Sequence, residues 1–474
     1  MKDLNSNLAL AIVAAALGSG FQHGYNTGVL NAPQKVIELW IKGPCPGSSL
    51  SPVSGRACLD EYTVTLIWSW VVAIYCIGGM MGGAIVGLVS SYFGRKGGLM
   101  FNNLFVLIAS LLMGFAKEAD SYQMLLAGRL FAGINSGLNA GLVPMYLSEV
   151  SPVSLRGSTG TVYQLIITLS ILLSQVLGLQ QVLGTQDKWP ILLGAPVVLG
   201  ILQLLLLPWC PESPRFLLMD RFDSNGSTKA LSWLRKSDKI QSEIEEMNIE
   251  FEAKKLEKHM TLKEMLTVKY LRKPLAIAVM MMLAQQLSGI NAAMFFSTKI
   301  FSSAGLDEFN SQMASVGMGV MNVLMTFVSM ILIDVAGRKT LMISGLAVMF
   351  LSTTFLLISL LLYKSLAWMS FIAIASVILF VVGFATGPGS IPWFFVSELF
   401  AQSGRPIATS IAVAVNWSAN FLVGLSFSPI QLAIGPYVFL IFMIIQLFFI
   451  LYVQFIVPET KGRSVEQVTA RFRV

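Results

Sequence analysis

The sequence predicts an all-α membrane protein with twelve transmembrane helices in two six-helix bundles. Three observations lead there. Of 474 residues, 55% are hydrophobic and 12% charged, roughly half the charged share of a soluble domain. Windows of about 20 apolar residues, enough for a helix to cross a ~30 Å hydrocarbon core, recur along most of the chain. Three short motifs also occur twice in the same order and divide those windows six and six. A chain this apolar has the bilayer as its solvent, where helices satisfy their own backbone hydrogen bonds.

Apolar runs bounded by turn and charge signals place the spans at about 9–30, 64–90, 99–116, 123–147, 158–181, 190–208, 274–300, 313–333, 340–362, 369–397, 406–429 and 434–457. The first is interrupted by polar residues and lacks a basic flank with a small-residue cleavage site, so it reads as a retained helix. The one long polar stretch inside the chain, 211–272, has helical charge patterning around Ser242-Glu243-Ile244-Glu245-Glu246. The expected division is a bundle over 1–208, a cytoplasmic linker of short helices over 209–272, a bundle over 273–457 and a tail over 458–474. Basic residues at Arg95, Lys96, Arg156, Arg338, Lys339, Arg405 and the tail outnumber those on the other side loop for loop. The expectation is therefore both termini and the linker in the cytoplasm, of a cell-membrane protein.

The repeat is explicit. Gly94-Arg95-Lys96 recurs as Gly337-Arg338-Lys339, 243 residues later. Ser148-Glu149 with Arg156 recurs as Ser397-Glu398 with Arg405, each Glu–Arg spacing being 7. Pro211-Glu212-Ser213 recurs as Pro458-Glu459-Thr460. Two six-helix repeats place a solute site between the halves near mid-membrane.

The net charge of +7 is spread over loops with no aromatic-interleaved basic face, so a nucleic-acid partner is not expected. There is no nucleophile–base pair, metal-spaced His/Cys set or phosphate loop. Neither an enzyme, a metal nor a cofactor is expected, and no obligate protein partner is evident. Cys76 and Cys210 read as packing residues. Cys45 and Cys58 share a polar loop, and a bridge between them is open only if that loop is extracellular.

Polar side chains at membrane depth need a reason. A lone amide is commonly interhelical glue, at about 0.6 kcal/mol; here they cluster. Gln164, Thr168 and Gln175 share one face of the fifth span, and Asn416 and Asn420 one face of the eleventh beside Trp417. Gln285, Gln286, Ser288 and Asn291 surround Gly289, where the seventh span can unwind. Asn322 lies in the eighth. Gly387-Pro388-Gly389 breaks the tenth before Trp393. Amides donate to and accept from hydroxyls, and an aromatic face covers the C–H side of a sugar ring.

On these residues the chain resembles the sugar-porter branch of the major facilitator superfamily, and within it the animal facilitative hexose transporters. The match is carried by Gly24-Tyr25-Asn26-Thr27-Gly28, Gly94-Arg95-Lys96, Pro144-Met145-Tyr146, Pro211-Glu212-Ser213-Pro214-Arg215, Gln285-Gln286-Leu287-Ser288-Gly289-Ile290-Asn291, Gly387-Pro388-Gly389, Ile391-Pro392-Trp393, Asn416-Trp417 and Pro458-Glu459-Thr460-Lys461-Gly462. The resemblance implies the major facilitator fold, a sugar substrate in a lipid bilayer, and sugar contacts from Gln164, Gln285, Gln286, Asn291, Asn322, Phe384, Trp393, Asn416 and Asn420. It implies a cytoplasmic gate of salt bridges from Arg95, Glu149, Arg156, Glu212, Arg338, Glu398, Arg405 and Glu459. Proton-coupled relatives carry Asp where this chain has Asn26, opposite Arg129, so facilitative uniport is expected. The alternatives are a proton–sugar symporter using His23 or a carboxylate elsewhere, and a sensor that binds sugar without moving it.

The chain departs from the family pattern at three places. Ala385 stands where glucose-type members have Glu, which weakens a glucose assignment, while Trp393 leans toward one. Ser91 and Tyr92 replace the acid and base of the first Gly-Arg-Lys motif. In the second, Asp334 is kept and Val335 replaces the base.

Overall fold

A computed structural model of the chain describes residues 4–45, 58–152, 155–237, 240–256, 260–400, 404–461 and 467. Among them, eight helical stretches are long and apolar enough to cross a membrane. Two of these each contain two spans. Glu61–Gly114 has 54 residues, about 80 Å of helix, and breaks at Gly94, whose φ is +83°. Arg405–Phe455 has 51 residues and breaks at Gly435, with φ +59°. Tyr122–Val150 and Arg156–Leu177 complete the set of twelve.

The fourth span, Tyr122–Val150, is less apolar because it is buried by its neighbours. Gly78 and Gly82 of the second span face Gly133 and Gly137 of the fourth. A methyl group on any of them would sit 2.1–2.3 Å from a carbonyl oxygen of the other helix. Paired small residues four apart let backbones touch where lipid supplies no hydrophobic drive to pack helices.

Several spans are not plain α-helix, three of them where polar residues gather. The first, Ser6–Gly28, has a π-helical turn at Ala16–Gly20. The seventh, Lys269–Ser303, has one at Gln286–Ile290 with Gly289 at φ +101°. The tenth runs Met369–Thr386, turns through 387–390, and restarts as Ile391–Leu399. Between the halves lie four short helices: Pro214–Met219, Ser224–Arg235, Gln241–Leu256 and Leu262–Thr267. The last begins with a capping box of Thr261 and Glu264. The chain's start docks on this linker, Asn5 and Asn7 donating to the carbonyls of Leu234 and Trp233 at 2.8 Å each.

The halves meet mainly through the second span against the eleventh and the fifth against the eighth. At the end away from the linker they are tied by polar contacts. Asn31 Nδ2 donates to Ser297 Oγ at 2.5 Å, the Thr298 N–H to Asn31 Oδ1 at 3.1 Å, and Gln312 to the Ala32 carbonyl at 3.3 Å. Lys35 reaches Glu308 at 2.7 Å, and Gln180 bonds the same carboxylate. At the linker end, no hydrogen bond or ion pair between described residues joins the halves. The halves are thus latched, among the described residues, at the end away from the linker. Cys45 and Cys58, in the loop at the latched end, are disulfide-bonded with Cα atoms 4.9 Å apart.

Candidate functional site

The amides of the second half converge where the seventh, tenth and eleventh spans meet. Gln285 Nε2 donates to the carbonyls of Pro388 and Gly389 at 2.8 and 2.7 Å, so the break in the tenth span supplies the acceptors that orient it. Gln285 Oε1 accepts from Asn416 Nδ2 at 2.7 Å, and Asn416 Oδ1 accepts from Gln286 Nε2 at 2.8 Å. Asn291 Nδ2 donates to Gln286 Oε1. All four side chains are buried. The ring is neutral and self-satisfied, and each of its bonds can be exchanged for one to a hydroxyl. One turn along from Asn416, Asn420 is buried with Oδ1 unpartnered among the described residues.

The other expected contacts are more dispersed. Asn322 is buried in the eighth span, Gln164 is exposed on the fifth, and Phe384 lies half-buried beside Gly389. Trp393 is 41% exposed at the restart of the tenth span. Gln175 is buried against Gly319 of the eighth span with both amide atoms unpartnered among the described residues. Ala385 is buried.

Trp417 links the two halves. Its ring lies 6.4 Å from His23 and 6.1 Å from Tyr75 between centroids, and it rests on Gly79 of the second span. His23 Nδ1 is 3.2 Å from the Tyr163 hydroxyl. Sequence reading gave Tyr75 and Tyr163 no role, because neither stands in a motif.

Arg129 is fully buried. Its Nη1 donates to the Asn26 carbonyl at 2.8 Å and Nε to the Val71 carbonyl at 3.3 Å, with the guanidinium 4.4 Å from the Tyr75 ring centre. The Asn26 amide donates to its own helix at Gln22, and its Oδ1 is unpartnered among the described residues. The cation is held by carbonyl dipoles and an aromatic face, with no carboxylate paired to it among the described residues.

At the linker end the repeated motifs build the same object twice. The Glu212 carboxylate accepts from the N–H groups of Arg95, Lys96 and Gly97 at 3.0–3.3 Å. Glu459 accepts from those of Arg338 and Lys339 at 3.0 Å each. Each carboxylate thus caps a helix start, where free N–H groups and the helix dipole favour negative charge. Burial raises the Glu459 carboxyl pKa, but four backbone donors outweigh it and hold it below the usual carboxylate range. Arg95 pairs with Glu149 at 2.9 Å and with Asp220 at 2.9 Å; Arg338 pairs with Glu398 at 2.9 Å. Ser213 bonds Glu149 as Thr460 bonds Glu398. In this conformation Glu398 is therefore engaged by Arg338 and not by Arg405, whose Nε is buried without a partner among the described residues. The Arg156 and Asp334 side chains lie outside the described residues.

Twelve spans in two repeats, with a buried polar cluster at mid-depth, define a secondary membrane carrier. The chain belongs to the sugar transporter family: the family model described as "Sugar (and other) transporter" matches residues 11–472. It is 43% identical over 470 residues to solute carrier family 2, facilitated glucose transporter member 1, of Gallus gallus, covering 99% of this chain and 94% of that protein. It is 45% identical over 473 residues to facilitated glucose transporter protein 1 of Caenorhabditis elegans, covering 99% and 91%. An inward open structure of the xylose transporter XylE from E. coli superposes with a TM-score of 0.79 at 24% identity, covering 98% of this chain and 99% of that one. The fold is accordingly that of the major facilitator superfamily, and the chain is an integral membrane protein and not an enzyme.

Proposed function

We propose that this chain carries hexoses, glucose-like in class, down their gradient by alternating access, without coupling to protons. The observation that carries the reading is the ring of neutral amides formed by Gln285, Gln286, Asn291 and Asn416 beside Trp417, on the side of the second half that packs against the first. A neutral polyol can replace amide–amide bonds one for one, and nothing in the ring selects for charge. Asn322, Asn420, Gln164, Phe384 and Trp393 complete the binding set in this reading. The facilitated glucose transporters matched over nearly the whole chain support it.

Uniport rests on Asn26 and Arg129. The buried cation already has its partners, and the residue facing it cannot titrate. The residues Arg95, Glu149, Arg156, Glu212, Arg338, Glu398, Arg405 and Glu459 form the inner gate. With the outer end latched, the pairs Arg95–Glu149 and Arg338–Glu398 stay within their own halves. When the latch opens, the two constellations approach and bind across the cleft. The latched end faces outside, the linker and both termini are cytoplasmic, and the host is the plasma membrane.

The test is uptake of labelled glucose into proteoliposomes, with unlabelled fructose, galactose and mannose as competitors. Glucose uptake suppressed by glucose-like hexoses is expected; no uptake of any hexose overturns the reading. Ala385→Glu, which restores the carboxylate of glucose-type relatives, is expected to raise apparent glucose affinity several-fold. Unchanged competition would remove position 385 from selectivity.

A further inference from the structure

Two glutamines outside every motif hold the π-helical turns of the first and seventh spans, and we infer that Gln446 is a positioning residue for the sugar site, with Gln203 its counterpart in the first half. Gln446, on the twelfth span, is fully buried. Its Nε2 donates to the Ser288 carbonyl at 2.7 Å and to Thr353 Oγ1 at 3.1 Å. Gln203, on the sixth span, is buried as well. Its Nε2 donates to the Ala14 carbonyl at 3.0 Å and to Ser19 Oγ at 2.8 Å. Position 446 minus 203 is the same 243 as 337 minus 94, so the two glutamines occupy equivalent places in the repeat. Each reaches the one π turn that its own half has among the described residues, at Ala16–Gly20 and at Gln286–Ile290.

The geometry gives that turn a consequence for the site. In an uninterrupted α-helix, residues five apart point about 140° apart; here the helical path is broken between them at Gly289, whose φ is +101°. Gln286 and Asn291 are five apart, and Asn291 bonds Gln286. They share a face because the turn lies between them. A π turn frees a carbonyl from the helical ladder, and at membrane depth that carbonyl needs a donor from a neighbouring helix. Gln446 supplies a donor to the Ser288 carbonyl within this turn. The first half repeats the logic: Ala14 and Ser19 are also five apart, and one Gln203 amide reaches both. Asn139 covers the Ser19 carbonyl at 3.2 Å. Without Gln446 the Ser288 carbonyl loses its donor, and the break at Gly289 no longer holds Asn291 firmly beside Gln286.

This inference rests on the hexose-carrier reading, and the experiment separates the two. Full-length protein in proteoliposomes is assayed for labelled glucose uptake as wild type, Gln446→Met, Asn291→Ala and the double variant, each checked for folded yield by gel filtration. Absence of wild-type uptake defeats the carrier reading itself. Given wild-type uptake, Gln446→Met, which keeps volume and removes the amide, is expected to raise KM roughly three- to tenfold with maximal rate within about twofold. In the Asn291→Ala background the same change is expected to have little further effect, because the residue it positions is gone. An unchanged KM for Gln446→Met, or effects that simply add, would overturn the inference. If Gln446→Met does not fold, Gln446→Asn, which retracts the amide by one methylene, is read by the same two criteria.

Discussion

Arg129 sits in the membrane with two backbone carbonyls, the Tyr75 ring and, among the described residues, no carboxylate. That solution works only while the residue opposite stays neutral. Asn26→Asp would set a titratable carboxylate beside a desolvated guanidinium, and its protonation would then track the conformational cycle. Uptake by the wild type is expected to vary little between about pH 6 and 8, where only a histidine ordinarily titrates. The Asn26→Asp variant is expected to become pH-dependent, measured as initial glucose uptake across that range. The sequence made Asn26 and Arg129 legible through their motifs. It did not reveal that the Asn26 backbone, not its side chain, receives the guanidinium. Nor did it reveal that, of the gate's bases, Arg338 is the one that pairs with Glu398 in this conformation. Pairing across helices is set by distances a linear spacing does not encode.

Helix starts at the linker end carry the clearest sequence-to-structure link. Gly94 and Gly337 recur because the backbone there has φ +83° and +88°, and because a methyl at Gly94 would lie 2.4 Å from Glu212 Oε2. Gly94→Ala is expected to cost on the order of 1–3 kcal/mol, read as a lower melting temperature in detergent. The Glu459 cap adds a pH signature. Its carboxyl pKa is lowered on folding, so its contribution to stability is complete above the unfolded value near 4.5 and is lost as pH falls through the lower folded value. Melting measured on acidification should show that loss, and Glu459→Gln should remove part of it. Breaks at Gly289 and at Gly387-Pro388-Gly389 were readable because glycine and proline punctuate helices. The π turn at Ala16–Gly20 was not. The amides that bond it, Gln203 and Asn139, lie far away in the chain.

On the scale of the whole molecule, the twelve spans and the two halves could be read from composition and repeat, whereas the conformation could not. The latch of Asn31, Lys35, Gln180, Glu308 and Gln312 follows no motif, and its members are brought together by the packing of the two halves. Lys35 is 68% exposed, so its pair with Glu308 contributes at most about 1 kcal/mol. Glu308→Ala also removes the Gln180 bond, and is expected to raise the outward-open population by about fivefold. Spin labels at the outer ends of the first and eighth spans would report that shift as a longer distance.

The central claim is that these halves rock around a hexose site without moving protons. It is tested most directly by labelled glucose uptake into proteoliposomes with and without an imposed pH gradient. The expected result is uptake that levels off at the external concentration and does not change with the gradient. Accumulation above that concentration when the gradient is applied would contradict the account.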